Sequence, residues 1–168
     1  VGYSLKPSVH PNHFDQLGLK VESSFNDIVE YSTIKRVFSK FQPEIVFHLA
    51  AQPLVLESYD NPLKTFNTNI MGSVNILEAS RHTDSVKAIV IVTTDKVYKN
   101  NDCIYEYRET DAIGGHDPYS SSKACAELVT ESYRKSYYDG CKGELLIASA
   151  RAGNVIGGGD WTENRIIP

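Results

Sequence analysis

The sequence has 168 residues, of which 41% are apolar and 23% are charged, and its formal net charge is −4. These values are typical of one globular domain; they argue against wholesale disorder and against a nucleic-acid partner, for which a basic excess is expected. No apolar stretch reaches the length of a membrane span, and no signal peptide is visible. The three cysteines, Cys103, Cys125 and Cys141, lack C-x-x-C spacing, so we expect reduced thiols and a cytoplasmic protein.

Segments with strand and helix periodicity alternate along the chain. Strands are predicted at 1–5, 19–25, 44–50, 87–94 and 144–150. Helices are predicted at 27–41, 62–81 and about 119–138. The segment EIVFHLA at 44–50 is a continuous apolar run, which is typical of a strand covered on both faces.

This order predicts an α/β fold with a doubly wound parallel sheet, Rossmann-like, with helices on both faces, and residues 1–168 form part of one domain. In such sheets ligands bind beyond the carboxyl ends of the strands. Three polar segments directly follow predicted strands, and we expect them to lie along one rim. They are HLAAQP, TTDKVY and RAGNVIGGGDW.

The clearest chemical signal is the pair Tyr119 and Lys123, which follows Pro118 in the sequence DPYSSSK. Y-x-x-x-K spacing alone decides nothing, because it also starts at Tyr31 and Tyr138. Tyr31 belongs to the apolar stripe of an early helix and reads as core, whereas Tyr138 lies at a helix end and reads as surface. Tyr119 falls in a first helical turn at the ligand rim, with Lys123 one turn later on the same face.

A nearby cation lowers the pKa of a phenol and favours the phenolate, which can take a proton from a sugar hydroxyl as hydride leaves the same carbon. Thr94 can hydrogen-bond that hydroxyl, and Asp95 can act as a general acid if burial raises its pKa. The non-catalytic alternative is that the tyrosine is packed in the protein, the lysine is solvated, and Thr94 and Asp95 form a turn or a helix cap. Lys96, just past a buried strand, is normally a surface residue.

Taken together, HLAAQP, TNIMGSVNILEA, TTDKVY, DPYSSSK and RAGNVIGGGDW resemble the extended short-chain dehydrogenases/reductases. Within them, GGHDPYSSSK and RAGNVIGGGDW are most similar to the CDP-glucose 4,6-dehydratase branch. The resemblance implies catalytic roles for Thr94, Asp95, Lys96, Tyr119 and Lys123. It implies cofactor contacts for Asp27, Ile28, Ala50, Ala51, Gln52, Tyr119 and Lys123, substrate contacts for Asn154 and Arg165, and a mainly structural role for Asn69. It implies no metal.

The reaction implied is an internal redox cycle on CDP-glucose with NAD as cofactor. Hydride leaves C4 of the sugar, water is lost across C5–C6, and hydride returns to C6 to give CDP-4-keto-6-deoxyglucose. Lys96 stands where related dTDP-glucose enzymes have a glutamate base, which leaves the base for the C5 proton open. The resemblance also implies a homodimer that packs the helices at 62–81 and 119–138. The alternatives are another nucleotide-sugar epimerase or dehydratase, a non-catalytic NAD(P)-binding sensor, and a flavodoxin-like binding module.

One family feature is missing from the sequence. The family's glycine-rich phosphate loop follows its first strand, but Gly157, Gly158 and Gly159 follow a late strand and do not match G-x-G-x-x-G. We therefore expect a fragment that starts at the second strand and lacks the C-terminal substrate domain. Without the central first strand, the strands should fall into two groups with unpaired edges, and the isolated chain should fold poorly and bind NAD weakly. No acidic residue ends the segment GYSLKP, so the choice of NAD over NADP comes from the resemblance alone.

Overall fold

The structure is a computed structural model that describes residues 1–100, 102, 104–138, 145–161 and 163. Strands are Gly2–Ser4 (β1), Ser23–Phe25 (β2), Ile45–His48 (β3), Ala88–Thr94 (β4) and Leu146–Ala152 (β5). α-Helices are His13–Leu17 (α1), Tyr31–Phe41 (α2), Val55–Asp60 (α3), Pro62–Phe66 (α4), Gly72–Arg81 (α5) and Pro118–Tyr133 (α6). The five strands and the helices predicted at 27–41, 62–81 and 119–138 occur in the predicted order, and the structure adds two short helices, α1 and α3, that were not predicted.

All strand pairs are parallel, but they form two separate sheets. β1 pairs with β2, and the second sheet has the order β3-β4-β5. Residues of β1, α2 and β3 line a cavity of about 570 Å³ between the two sheets. The expectation that the strands fall into two groups with unpaired edges is thus confirmed.

The hydrophobic core lies between the strands and one layer of helices. Ile34 of α2, Leu77 of α5 and Ile89 of β4 are almost completely buried in it. The opposite face of β3 is open, because Ile45 and Phe47 are 59% and 65% exposed. The prediction that β3 is covered on both faces is therefore wrong for this chain: the helices that pack into this core all approach from the same side.

The segment predicted as one helix over 62–81 is continuous, but it contains a π-helical turn at Asn67–Met71 between α4 and α5. Of the four apolar residues at helical spacing in this segment, Phe66, Ile70 and Val74 are only half-buried, whereas Leu77 is fully buried. The deeply buried side is made largely of small polar residues, namely Thr65, Asn69, Ser73, Asn75 and Ser80. Because a π turn adds a residue to the helical repeat, it shifts the buried face away from a simple 3.6-residue stripe.

The start of α6 follows the sequence prediction closely. Asp117 is the N-cap, its carboxylate accepts the Ser120 backbone N–H at 2.9 Å, and Pro118 is the first helical residue. At the other end, Tyr138 was predicted to be a surface residue, but it is half-buried and its hydroxyl is enclosed. That prediction is wrong because Tyr138 packs beside Tyr137 in a second π-helical turn. Lys142, the partner in its Y-x-x-x-K spacing, lies outside the described residues.

Candidate active site at the carboxyl ends of the strands

The first turns of α6 carry Tyr119 and Lys123 to the carboxyl end of β4. Lys123 is only 5% exposed, and its Nζ donates a hydrogen bond to the backbone carbonyl of Val92 at 2.8 Å. Tyr119 is half-buried one turn earlier on the same helix. The predicted pair therefore lies on the predicted rim, whereas Tyr31 packs against the core, as expected.

The Lys123 ammonium lies in a desolvated environment. Burial lowers its pKa to about 8, although the Glu127 carboxylate one turn further along α6 acts in the opposite direction. Burial also lowers the pKa of His48, the last residue of β3, to about 4, and the positive charge of Lys123 adds to that effect. His48 is therefore a neutral imidazole at physiological pH, and of these two side chains only Lys123 carries a positive charge.

The tautomer of His48 follows from its partners. Ser73 donates its hydroxyl proton to the Asn69 carbonyl at 2.7 Å, so its oxygen accepts from His48 Nε2 at 3.1 Å. The proton of the neutral ring is thus on Nε2. Sequence reasoning missed His48 because a histidine inside an apolar strand gives no signal of its own.

Thr94, Asp95 and Lys96 form a tight turn directly after β4. The Thr94 hydroxyl accepts the Lys96 backbone N–H at 3.3 Å and donates to the Asp95 carboxylate at 3.0 Å. The Asp95 side chain is 56% exposed. The structure therefore lacks the burial on which the predicted general-acid role of Asp95 depends. Nothing among the described residues packs over it enough to exclude solvent.

Lys96 reaches across the rim to the loop after β5. Its Nζ donates to the Asn154 side-chain oxygen at 3.1 Å and lies 3.8 Å from the Asp95 carboxylate. The structure thus brings Asp95, Lys96 and Asn154 together. Arg165, the other predicted substrate contact, lies outside the described residues.

A buried hydrogen-bond chain joins the loop after β3 to α6. Asn69, in the π turn, accepts the Gln52 backbone N–H at 2.8 Å and donates to the Gln52 carbonyl at 3.1 Å. It also donates to the Ser122 hydroxyl at 2.8 Å, which in turn donates to the Tyr119 carbonyl at 2.7 Å. Sequence reasoning missed Ser122, the link that carries this chain into the turn of Tyr119.

Two other predicted cofactor segments lie at the ends of β2 and β3. Ile28 is buried against Gly72, and the carbonyls of Ile28 and Val29 both accept from the Asn75 side chain at 3.0 Å. Asp27 turns its carboxylate onto the Val29 backbone N–H at 3.1 Å. These contacts fix the turn after β2 on α5.

At the end of β3, Ala50 and Ala51 are half-buried and their small side chains leave room beside the strand end. The Gln52 side chain points into the protein, where its amide nitrogen donates to the Leu54 carbonyl and to the Thr65 hydroxyl. Its amide oxygen accepts the Leu54 backbone N–H at 2.6 Å. The Gln52 side chain therefore shapes the loop from within.

A family model described as GDP-mannose 4,6 dehydratase matches residues 8–143. The chain belongs to this family. It is 45% identical, over 99% of its own length, to a CDP-glucose 4,6-dehydratase of Salmonella typhimurium, of which it covers 48%. It is 31% identical to a dTDP-D-glucose 4,6-dehydratase of Dictyostelium discoideum, over 84% of this chain and 33% of the relative. The resemblance to the CDP-glucose branch is thus confirmed, and the chain spans half or less of the length of these relatives.

Solved structures of two epimerases confirm the Rossmann-like α/β fold. The epimerase Mth375 of Methanothermobacter thermautotrophicus superposes with a TM-score of 0.72 at 32% identity, over 82% of this chain and 39% of that one. The UDP-glucose 4-epimerase of Thermus thermophilus, solved as a complex with NAD, gives a TM-score of 0.69 at 30% identity over 78% and 40% of the two chains.

Two negative findings hold for the part of the chain that the structure describes. No helix there is both long enough and apolar enough to cross a membrane. No group of three or more His, Cys, Asp or Glu side chains there is arranged to hold a metal ion.

Proposed function

We propose that residues 1–168 form the central part of the NAD-binding domain of a nucleotide-sugar 4,6-dehydratase that converts CDP-glucose to CDP-4-keto-6-deoxyglucose. The observation that carries the proposal is the buried Lys123 in the turn after Tyr119, beside the Thr94–Lys96 turn. It occurs in a chain that is 45% identical to a CDP-glucose 4,6-dehydratase. The free thiol of Cys125 and this biosynthetic role favour a cytoplasmic location.

The rim has groups suited to NAD. The Lys123 ammonium has three N–H donors, of which Val92 takes one, so it can also hold ribose hydroxyls. Buried Ile28 with Asp27 beside it offers an apolar surface and a polar edge, which suit an adenine ring. Ala50 and Ala51 leave the end of β3 open to a flat ligand. NAD bound there would accept hydride from the sugar and return it.

Each residue on the rim has a task in this proposal. Tyr119, one helical turn from the cationic Lys123, takes the proton of the C4 hydroxyl as a phenolate, while Thr94 hydrogen-bonds that hydroxyl. Asp95 gives a proton to the departing 6-hydroxyl, which requires that bound substrate cover its exposed carboxyl group. Lys96 takes the C5 proton, directly or through a water, which requires that it first lose its own proton. Asn154, with Arg165, contacts the substrate nucleotide.

The test is an assay on the full-length protein. CDP-glucose, dTDP-glucose and GDP-mannose are supplied in parallel, and the alkali-induced absorbance of a 4-keto-6-deoxy sugar is measured. We expect signal with CDP-glucose that Tyr119→Phe lowers by about a thousandfold, since proton transfer contributes about 10²–10⁴-fold. Tyr31→Phe is the matched control, because Tyr31 has the same spacing to a lysine but packs against the core.

An epimerase of the same family is the second candidate, and the exposure of Asp95 is the observation that favours it, since an epimerase needs no acid there. Silence with all three sugars in the dehydratase assay, together with retained NAD, would favour this candidate or a non-catalytic sensor. Interconversion of two nucleotide hexoses without loss of water would decide for the epimerase.

We also propose that the full-length protein is a homodimer, with a seam along the helices at 62–81 and 119–138. Helices α3, α4 and α6 contact one another and carry exposed apolar side chains. They are Leu56, Tyr59, Leu63 and Leu128, and Leu63 is 83% exposed. Light scattering of the full-length protein should give twice the monomer mass, and Leu63→Asp with Leu128→Asp should halve it.

A further inference from the structure

A buried ion pair links α6 to β5 behind the catalytic rim. Arg151 of β5 places Nε and Nη2 on the two carboxylate oxygens of Glu127, each at 3.2 Å. Glu127 is 6% exposed. Burial opposes its ionisation, but the hydrogen bonds from Arg151, Thr93 and Ser149 outweigh it, so the Glu127 pKa is lowered. The pair is therefore fully charged, and its fork fixes the guanidinium plane.

The same ion pair holds both flanks of the Thr94–Lys96 turn. On the entering side, the Thr93 hydroxyl donates to Glu127. On the leaving side, the Arg151 guanidinium lies over the ring of Tyr98, 4.8 Å from its centre. The three residues that carry the proposed chemistry of the turn thus lie between two contacts to one rigid unit.

The stack continues into the following loop. Tyr98 and Tyr107 are stacked with centroids 4.8 Å apart and planes 7° apart. Arg151 Nη1 donates to the Glu109 carbonyl at 3.1 Å. Every nitrogen of the Arg151 guanidinium therefore has a hydrogen-bond partner, and its face has an aromatic one. These partners, Glu127, Glu109 and Tyr98, come from three different segments.

The pair also relates the turn to the two other parts of the rim. Glu127 is four residues after Lys123, on the same face of α6. Arg151 is paired with Thr93 in the parallel register of β4 and β5, and it precedes by three residues the Asn154 that bonds Lys96. One ion pair thus sets the distances between the helix of Tyr119, the turn of Asp95 and the loop of Asn154.

The geometry points to Arg151 as a positioning residue that, with Glu127 and through Tyr98, holds Asp95 and Lys96 in place for the elimination of water. This inference rests on the proposed dehydratase function. Thr94 is the last residue of β4 and stays fixed by strand pairing with Ala152, so oxidation at C4 depends less on Arg151. Loss of the stack should therefore slow elimination far more than oxidation.

Two variants of the full-length protein test this. Arg151→Lys keeps a charge for Glu127 but cannot make the fork and the stack together. Tyr98→Leu removes the ring and leaves the ion pair intact. We expect both to lower formation of the 4-keto-6-deoxy sugar by about ten- to a hundredfold, the usual cost of a misplaced catalytic group. C4 oxidation, followed as NADH absorbance in a single turnover, should fall by less than about threefold, so NADH should accumulate on the enzyme.

A matched control separates position from general stability. Arg81 also forks onto a glutamate, Glu78, and lies over a tyrosine, Tyr137, at 4.9 Å. It lies near the far end of α6, about 27 Å along the helix from Tyr119 at 1.5 Å per residue. Arg81→Lys should change neither step.

A second measurement does not depend on turnover. Hydrogen exchange of the amides of 95–98, in the full-length protein without substrate, should accelerate in Arg151→Lys and Tyr98→Leu and not in Arg81→Lys. Unchanged exchange, or an equal fall in oxidation and elimination, would overturn the inference. If the unchanged protein makes no 4-keto sugar from any substrate, the proposed function fails, and the exchange result alone decides whether Arg151 holds the turn.

Discussion

Replacing Asn69 by alanine should cost the fold more than any other single side-chain amide deletion at this rim. Asn69 is 1% exposed, and its amide makes two hydrogen bonds with the backbone of Gln52 and one with Ser122. In Asn69→Ala the Gln52 N–H and carbonyl stay buried and lose these partners. The hydroxyl of Ser122 still donates to the Tyr119 carbonyl.

The loss of stability follows from the two backbone groups of Gln52 that lose their hydrogen-bond partners. A buried donor or acceptor without a partner costs about 1–3 kcal/mol, so the variant should lose about 2–6 kcal/mol of unfolding free energy. Since a whole domain is stable by about 5–15 kcal/mol, this is a large share. Ser122→Ala removes only one partner of Asn69 and should cost about 1 kcal/mol.

The measurement is denaturant unfolding of the full-length protein without ligand. Asn67→Ala is the matched control, because Asn67 lies in the same π turn with an exposed side chain, so its loss should stay within about 0.5 kcal/mol. A cost for Asn69→Ala no larger than that of Asn67→Ala would refute the reasoning. It would mean that water or a shifted loop satisfies Gln52.

Three further predictions concern stability. The pKa of His48 is about 4 in the folded state and about 6.5 in the unfolded state, so the unfolded state binds more protons as the pH falls. About 2 kcal/mol of unfolding free energy should therefore be lost between about pH 7 and pH 5. His48→Gln should flatten this part of the measured stability–pH profile, and the exposed-site control His116→Gln should not. Gly72→Ala places a Cβ 2.8 Å from Ile28 Cγ2 and should cost about 1–2 kcal/mol in denaturant unfolding, less in combination with Ile28→Ala. The isolated 168-residue chain should lack a cooperative thermal transition and tight NAD binding, because the cavity between its sheets leaves strand edges unpaired; either property, if measured, would contradict this.

The element order and the position of the rim were predictable because they depend on local patterns. Apolar runs of strand length and the Asp117-Pro118 start of α6 act within a few residues, and both reappear in the structure. The parallel order then places the carboxyl ends of the strands together. This is why context could separate Tyr119 from Tyr31 before any contact was known.

Exposure was harder to predict because it depends on what covers a residue. The apolar run at Ile45 and Phe47 suggested a strand covered on both faces, yet one face is open. The acid role predicted for Asp95 was conditional on burial, and its side chain is 56% exposed. In both cases the sequence shows whether a segment favours burial. Whether it is buried depends on elements from distant parts of the chain that pack over it.

The pair Glu127 and Arg151 was missed for a different reason: its signal exists only when two periodicities are combined. Period-two alternation in β5 puts Arg151 on the same face as Ile147, which packs against the core, so this arginine requires a buried acidic partner. The 3.6-residue period of α6 puts Glu127 on the same face as Lys123, which the catalytic reading already directs inward. Each residue alone reads as a solvated charge. Together, two inward-facing charges of opposite sign on packed elements predict the ion pair. The same test can be applied to any charged residue that lies on the same face of a strand as a core residue.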